Sequence, residues 1–274
     1  MEKKTMADTI QSLATNNIVE ITLNRPDRLN SFNDVMSLAL RAELEKARDD
    51  EICRAVLITG SGRSFCAGRD LNTRDPRTSN GPPDLEKSLT EITNPLVRLI
   101  RAINKPVICA VNGVAAGAGA NIALACDIVL AAESANFIQS FSKVGLVPDA
   151  GGSWVLPHLI GEARAKAITM MATPVSARQA ADWGMIWKAI PDENLMQEAR
   201  DLACQVARGP TFGLGMTKQA IQLASDNSFD QQLDLEAEHQ GRCGRSSDYA
   251  EGVTAFLEKR PAEFTGREKQ NEEK

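Results

Sequence analysis

Three short segments of this chain hold residues able to do chemistry. In Ile108–Asp127, ICAVNGVAAGAGANIALACD, an apolar strand runs into a loop made almost wholly of Gly and Ala. Gly117, Ala118 and Gly119 carry little or no bulk, so bare backbone N–H groups can approach a ligand closely and adopt unusual dihedrals. The helix that follows adds the partial positive charge of its N-terminus, which suits an oxyanion. Gly62–Leu71, GRSFCAGRDL, follows an apolar strand at Arg54–Thr59 and presents a second exposed N–H in its AG-x-D turn. Two donors from two loops can clamp one carbonyl oxygen. Ser142–Gly152, SKVGLVPDAGG, sets one acid, Asp149, between a proline and a small-residue turn. Asp149 reads either as a proton-transfer group or as the cap of a helix or turn beginning at Ala150.

The elements that must position these segments follow from hydrophobic pattern. Ile18–Leu23, Ala55–Thr59, Val107–Val111, Ile128–Ala131 and Phe137–Ile138 are predicted strands. Asn33–Arg48 is a predicted helix, with Met36, Leu40 and Leu44 at a spacing of four. Ser176, with Gln179 three residues on, predicts a helix start, Gly184 its end, and Met185–Ile190 a strand closed by Pro191. Asn72–Glu91 combines turn formers with charges and is read as a mobile flap or an idle surface excursion. After Glu193 only helices are predicted: Asn194–Arg208, Phe212–Ser225 and Phe229–Gly241, then Val253–Lys259 behind a cap pair at Asp248 and Glu251. Gly266–Lys274 is charged and expected to be disordered.

Composition sets bounds. The 274 residues carry a formal charge of -5 and no Lys/Arg stripe, which argues against nucleic acid as a partner. The 6 cysteines are scattered without a CxxC pair, so free thiols and a cytoplasmic location are expected. The start of the chain lacks the apolar block of a signal peptide, and Val107–Ala132 is broken by glycines, Asn112, Asn121 and Asp127, so no membrane segment is expected. His158 and His239 stand far apart without metal-ligand spacing and are read as structural; no metal or nicotinamide is implied.

Taken together, the three segments resemble the crotonase, or enoyl-CoA hydratase/isomerase, family. The likeness runs from NRPDRLNSF at Asn24–Phe32 through WGMIW at Trp183–Trp187 to EGVTAFLEKR at Glu251–Arg260. It implies an α/β fold: a spiral of repeated ββα units over residues 1–193 carrying the acyl-CoA site, and a helical trimerisation region over 194–274. By the same resemblance the backbone N–H groups of Arg69 and Ala118 form an oxyanion hole, with Gly68, Gly117 and Gly119 shaping the turns. Hydratases of the family use two glutamates, and the corresponding positions here are Asn121 and Phe141, neither able to act as acid or base. Asp149 stands where isomerases of the family carry their working aspartate, so a one-carboxylate proton shift is implied. PLVRLI, PVICAVNGVAAGAGA, FSKVGLVPDAGG and TFGLG look most like the branch acting on a ring-epoxide acyl-CoA. A linear 3-enoyl-CoA isomerase and a non-catalytic scaffold for another crotonase are the competing readings.

For binding, the resemblance points to Arg25, Arg28, Ala67, Asp70, Leu71, Phe141, Phe256 and Lys259, the last from a neighbouring subunit. Each cation is equally readable as a solvated charge. Phe137 and Trp154 are read as core in preference to pocket wall, and Asp70 and Asp127 as turn and helix-end residues. No cofactor is implied, since coenzyme A is part of the substrate. The implied partners are further copies of the chain, as trimer or hexamer, and an enoyl-CoA hydratase of the same pathway.

Overall fold

The structure is a computed structural model and describes residues 9–75, 77 and 83–268. The chain opens with β1 (Ile10–Thr15) and β2 (Ile18–Leu23), an antiparallel hairpin whose turn residues Asn16 and Asn17 both have positive φ (50° and 63°). That is the primed-turn geometry that matches strand twist, and Asn tolerates it. β1 was not foreseen: only Ile10 is buried and the other five residues are exposed, so no alternation marks it.

α1 (Asp34–Asp49) starts where the Asn33 side chain accepts from the Met36 N–H at 2.9 Å, and buries Met36, Leu40 and Leu44. β3 (Ala55–Gly60) and β4 (Ser64–Cys66) follow. The supposed flap is structured at both ends: a 3-10 turn at Leu71–Arg74, then α2 (Leu85–Ser88) capped by Asp84, which runs through a π-turn at Leu89–Thr93 into α3 (Asn94–Ala102). Its middle, Pro76 and residues 78–82, lies outside the described residues. β5 (Val107–Val111), β6 (Val114–Ala116), α4 (Ala118–Leu124), β7 (Ile128–Ala132) and β8 (Asn136–Ile138) complete the first half.

α5 (Gly152–Ile160), α6 (Glu162–Met171), β9 (Val175–Ser176), α7 (Ala177–Asp182) and β10 (Lys188–Ile190) come next. Ser176 caps α7 by accepting from the Gln179 N–H, and Gly184, at φ 73°, lies just beyond its end. The strand predicted from Met185 shrinks to its last three residues. α8 (Leu195–Ala207), α9 (Thr211–Leu223), α10 (Phe229–Gly244) and α11 (Ser247–Glu258) close the chain.

A six-stranded sheet has the order β1-β2-β3-β5-β7-β10, parallel beyond the hairpin, and a four-stranded sheet the order β4-β6-β8-β9. The pairs β3–β4, β5–β6 and β7–β8 each give their first strand to the large sheet and their second to the small one, which is the expected spiral. One apolar core joins both sheets, and α8 adds Leu195, Ala199, Ala203 and Ala207 to it.

Two C-terminal expectations are corrected. α11 is capped by Ser246, which accepts from the Tyr249 N–H, while Asp248 lies inside the helix and binds the Thr265 and Gly266 N–H groups at 2.7 and 2.8 Å. Glu251 is taken by Arg260 and the Glu263 N–H. Gly266–Glu268 is therefore tied down, Glu268 by Arg242, while residues 269–274 lie outside the described residues. Among the described residues no helix is long and apolar enough to cross a membrane, and no group of His, Cys, Asp and Glu could hold a metal ion.

Candidate active site

The AG-x-D turn leaves β4, whose entry is held by buried Asn30, its Nδ2 donating to the Ser61 and Ser64 carbonyls at 2.8 Å. Phe32 locks the turn from the other side: its N–H donates to the Gly68 carbonyl at 2.7 Å, and its carbonyl accepts from the Asp70 N–H at 2.9 Å. The N–H between those contacts, that of Arg69, has no backbone partner among the described residues.

The second turn joins β6 to α4. The Gly117 N–H donates to the Ile138 carbonyl at 2.8 Å, whereas among the described residues that of Ala118, the first residue of α4, has no partner and no side-chain cap. The two turns touch, since a Cβ on Gly68 would lie 2.8 Å from the Ala116 carbonyl oxygen and 3.7 Å from the Gly117 Cα. Gly119 lets α4 abut β4: a Cβ there would lie 2.5 Å from the Cys66 carbonyl oxygen.

Ala67, Gly68, Arg69, Leu71, Gly117, Ala118, Phe141 and Asp149 all line one cavity of about 790 Å³. Asp149 arrives on the turn before α5. The cap of α5 is Gly151, and no side chain caps that helix, so the capping alternative for Asp149 falls away. Among the described residues its Oδ1 is buried without a partner. Burial pushes the Asp149 carboxyl above its ordinary value, against the opposing pull of the Arg74 and Arg69 guanidiniums. The apolar residues just before it, Val144, Leu146 and Val147, are 49, 42 and 80% exposed, so they leave the acid open to solvent on that side.

The remaining sequence candidates lie elsewhere. Arg25 and Asp70 are absent from the cavity wall and brace the turn behind it, through an ion pair at 2.8 Å and an Arg25 bond to the Ser31 carbonyl. Burial pushes Asp70 up, but the hydrogen bonds from Arg25 and Asn72 outweigh it and hold the carboxyl below its ordinary range. Arg28 ends a 3-10 turn away from the cavity; Phe256 and Lys259 lie at the far end of α11, Phe256 82% exposed. Phe137 is core, whereas Trp154 is 40% exposed, stacks on His158 and carries Arg101 over its ring.

Sequence reasoning missed Arg74, Arg77, Ser140 and Lys143 in the same wall. Single polar residues carry no periodic signal, and only the fold brings them together. The Arg69 guanidinium turns from the cavity mouth toward α1 and α2, binding Asp34, Ser37 and Ser88, and Arg74 shares Ser88.

The arrangement joins two unpartnered backbone donors, one poorly solvated carboxylate and a wall of Phe141, Leu71, Val144 and Leu146. Such a site can hold an oxyanion while one group moves a proton. Comparison with known proteins agrees. Residues 14–267 match the Enoyl-CoA hydratase/isomerase family. The chain is 52% identical to the 1,2-epoxyphenylacetyl-CoA isomerase of Escherichia coli, over 96% of this chain and 100% of that one. It is 34% identical to the 2,3-dehydroadipyl-CoA hydratase of the same organism, over 91% and 96%. Among solved structures, an enoyl-CoA hydratase from a Polaromonas species superposes with a TM-score of 0.88 at 36% identity, over 93% of this chain and 99% of that one. With spiral, paired turns and sequence in agreement along nearly its whole length, the chain belongs to the enoyl-CoA hydratase/isomerase family.

Proposed function

We propose that the protein is an acyl-CoA isomerase in which Asp149 is the one working acid. The observation that carries this reading is the Asp149 carboxylate itself: its residue lines the same cavity as Arg69 and Ala118, and among the described residues its Oδ1 is buried without a partner and the two N–H groups have none either. The cavity's other described carboxylate, Asp75, is bound by Arg77, whose hydrogen bonds hold it below its ordinary value and make it a poor base. The positions that hold glutamates in hydratases carry Asn121, which is absent from the cavity wall, and Phe141, so two-base water addition has no residues to perform it.

The thioester oxygen binds the Arg69 and Ala118 N–H groups. Asp149, as carboxylate, takes a proton from the carbon next to the thioester, and the electron pair passes into a dienolate whose negative oxygen both donors stabilise. Neutral Asp149 then returns the proton at the γ carbon, and the double bond ends conjugated to the thioester. Each donor is worth roughly a hundredfold to a thousandfold in rate, and positioned proton transfer a further 10²–10⁴-fold.

The substrate we infer is 2-(1,2-epoxy-1,2-dihydrophenyl)acetyl-CoA, as in phenylacetate catabolism. Its epoxide opens to the oxepin by valence tautomerism, and the proton shift fixes the product, 2-oxepin-2(3H)-ylideneacetyl-CoA. Support comes from the 52% identical isomerase and from the flat apolar surface Phe141 offers a ring. No cofactor is needed, because coenzyme A is part of the substrate; Lys143 and Arg77 are the cavity cations nearest the role of phosphate partners. Residues 1–193 carry the site and 194–274 assemble a trimer or hexamer, in the cytoplasm, with an enoyl-CoA hydratase of the pathway as a partner.

The test compares wild type and Asp149→Asn on the epoxide and on a linear 3-enoyl-CoA, with circular dichroism to verify folding. We expect Asp149→Asn to lose both activities by on the order of 10²–10⁴-fold. A folded, active variant would refute the one-acid mechanism. A faster wild-type rate on the linear ester would reassign the substrate while keeping the chemistry.

A further inference from the structure

Asn121, buried in α4 at 1% exposure, stands where the family's hydratases hold a glutamate, yet it has left the cavity. Its amide has a defined task. Nδ2 donates to the Asp149 carbonyl at 2.8 Å, and Oδ1 accepts from the Gln139 Nε2 at 2.9 Å. Gln139 is equally buried, and its neighbour Ser140 lies in the cavity wall. α5 begins flush against the same amide, because a Cβ on Gly152 would lie 2.2–2.7 Å from the Asn121 Nδ2, Cγ and Oδ1.

The turn held in this way is not a relaxed one. Ala150 has φ 50° and Gly151 φ 81°, so a residue with a Cβ occupies the left-handed region directly after Asp149. Such a conformation costs about 1 kcal/mol or more and persists only where surrounding contacts over-determine it. Two contacts converge on the Asp149 carbonyl, the Gly152 N–H at 3.0 Å and the Asn121 amide. Among the described residues the carboxylate has no hydrogen bond on Oδ1 that could aim it, so its direction follows from its backbone.

We propose that Asn121 is a positioning residue that acts through Asp149: supported by Gln139, it clamps the Asp149 carbonyl across the α4–α5 junction and so fixes where the carboxylate stands relative to the Arg69 and Ala118 N–H groups. This rests on the reading of Asp149 as the working acid. It also gives position 121 a reason to be Asn, since a donor is required there and a carboxylate would set its oxygens against the carbonyl oxygen of Asp149. The side chain that supplies an acid in a hydratase is here a strut under a different acid.

The experiment measures kcat and KM for Asn121→Ala, Asn121→Asp and Gln139→Ala on a linear 3-enoyl-CoA and on the ring epoxide, with Asp149→Asn as control. A displacement of about 1 Å in a reacting group costs on the order of a hundredfold. We therefore expect Asn121→Ala to lose about ten- to a hundredfold in kcat with KM within about twofold. Asn121→Asp, although isosteric, loses more than Asn121→Ala, and Gln139→Ala loses less. A merely structural role would lower the melting temperature without splitting kcat from KM in this order. Should Asn121→Ala fail to fold, Asn121→Asp against Gln139→Ala carries the same comparison. Wild-type kcat in Asn121→Asp, with Asp149→Asn inactive, overturns this inference alone. An active Asp149→Asn overturns the role of Asp149 and this inference with it.

Discussion

One carboxylate carries two opposing demands. A base must be ionised to take a proton, yet burial around Asp149 favours its neutral form and outweighs the Arg74 and Arg69 guanidiniums. With Asp149 in its proposed role, we expect activity to fall as pH drops through a pKa above the ordinary carboxylate value of 3.8, which places the acid limb of the kcat/KM profile above that value. The stability term has the opposite sense. Because the folded-state pKa is raised, the contribution of Asp149 to stability is fully present below the unfolded pKa and is lost as pH rises through the folded one. At pH 7 the ionised group is a net cost to the fold, as groups tuned for activity often are. Asp149→Asn, uncharged and expected to lose activity, should melt on the order of 2 °C above wild type at neutral pH. That advantage should vanish toward pH 4, as wild-type Asp149 takes up its proton. Calorimetry at the two pH values tests it, and a lower melting temperature at pH 7 would show that the guanidiniums win over burial.

The elements around Asp149 differ in how plainly the sequence announces them. β3, β5 and β7 are apolar runs and β2 alternates, and the Gly/Ala loop and AG-x-D turn are marked by their own small residues, so both turns were legible before the fold. β1 was not, because a single inward residue gives no period. Arg74, Ser140 and Lys143 were not, because their meeting in one wall is a property of the spiral alone. Arg25 was legible as a cation but not as a brace: its partners Asp70 and the Ser31 carbonyl become visible only when the chain folds back. The tightest of these junctions, α4 on β4, yields a prediction. A methyl group at Gly119 would meet the Cys66 carbonyl oxygen at 2.5 Å, and backbone cannot swing aside as a side chain does. Gly119→Ala must push the start of α4 from β4 and separate the Ala118 N–H from that of Arg69. We expect kcat to fall by roughly a hundredfold, alongside a loss of about 1–3 kcal/mol in stability. Gly244→Ala, where a Cβ meets nothing within 4 Å, is the silent control. Full activity in Gly119→Ala would mean that the two donors need no fixed spacing.

Across the whole molecule, the C-terminal helices are joined to the spiral by a few partly buried polar anchors as well as by apolar packing. Arg54 binds Thr211, the Gly209 carbonyl and the Phe264 carbonyl, and so fixes the start of α9 and the chain end together. Lys218, in α9 and 8% exposed, pairs with Asp127 at 2.9 Å and donates to the Ile100 carbonyl at the end of α3. Asp127 in turn accepts from the Val107 N–H at 2.8 Å, so one ion pair joins α9, α3 and the first residue of β5. Burial already pushes the Asp127 carboxyl up, with Lys218 pulling against it. Lys218→Met keeps the apolar stem but leaves the partly exposed Asp127 carboxylate, 19% accessible, without its cation, at a cost of about 1–3 kcal/mol. The sign of the pH dependence follows. Without Lys218 the folded-state pKa of Asp127 rises further, so the deficit is full at neutral pH and shrinks as acid protonates the stranded group. Urea midpoints of variant and wild type should therefore differ most at pH 7 and converge toward pH 4. A gap of equal size at both would assign the loss to the methylene packing of Lys218 and leave the ion pair without a role in holding the helical region on the spiral.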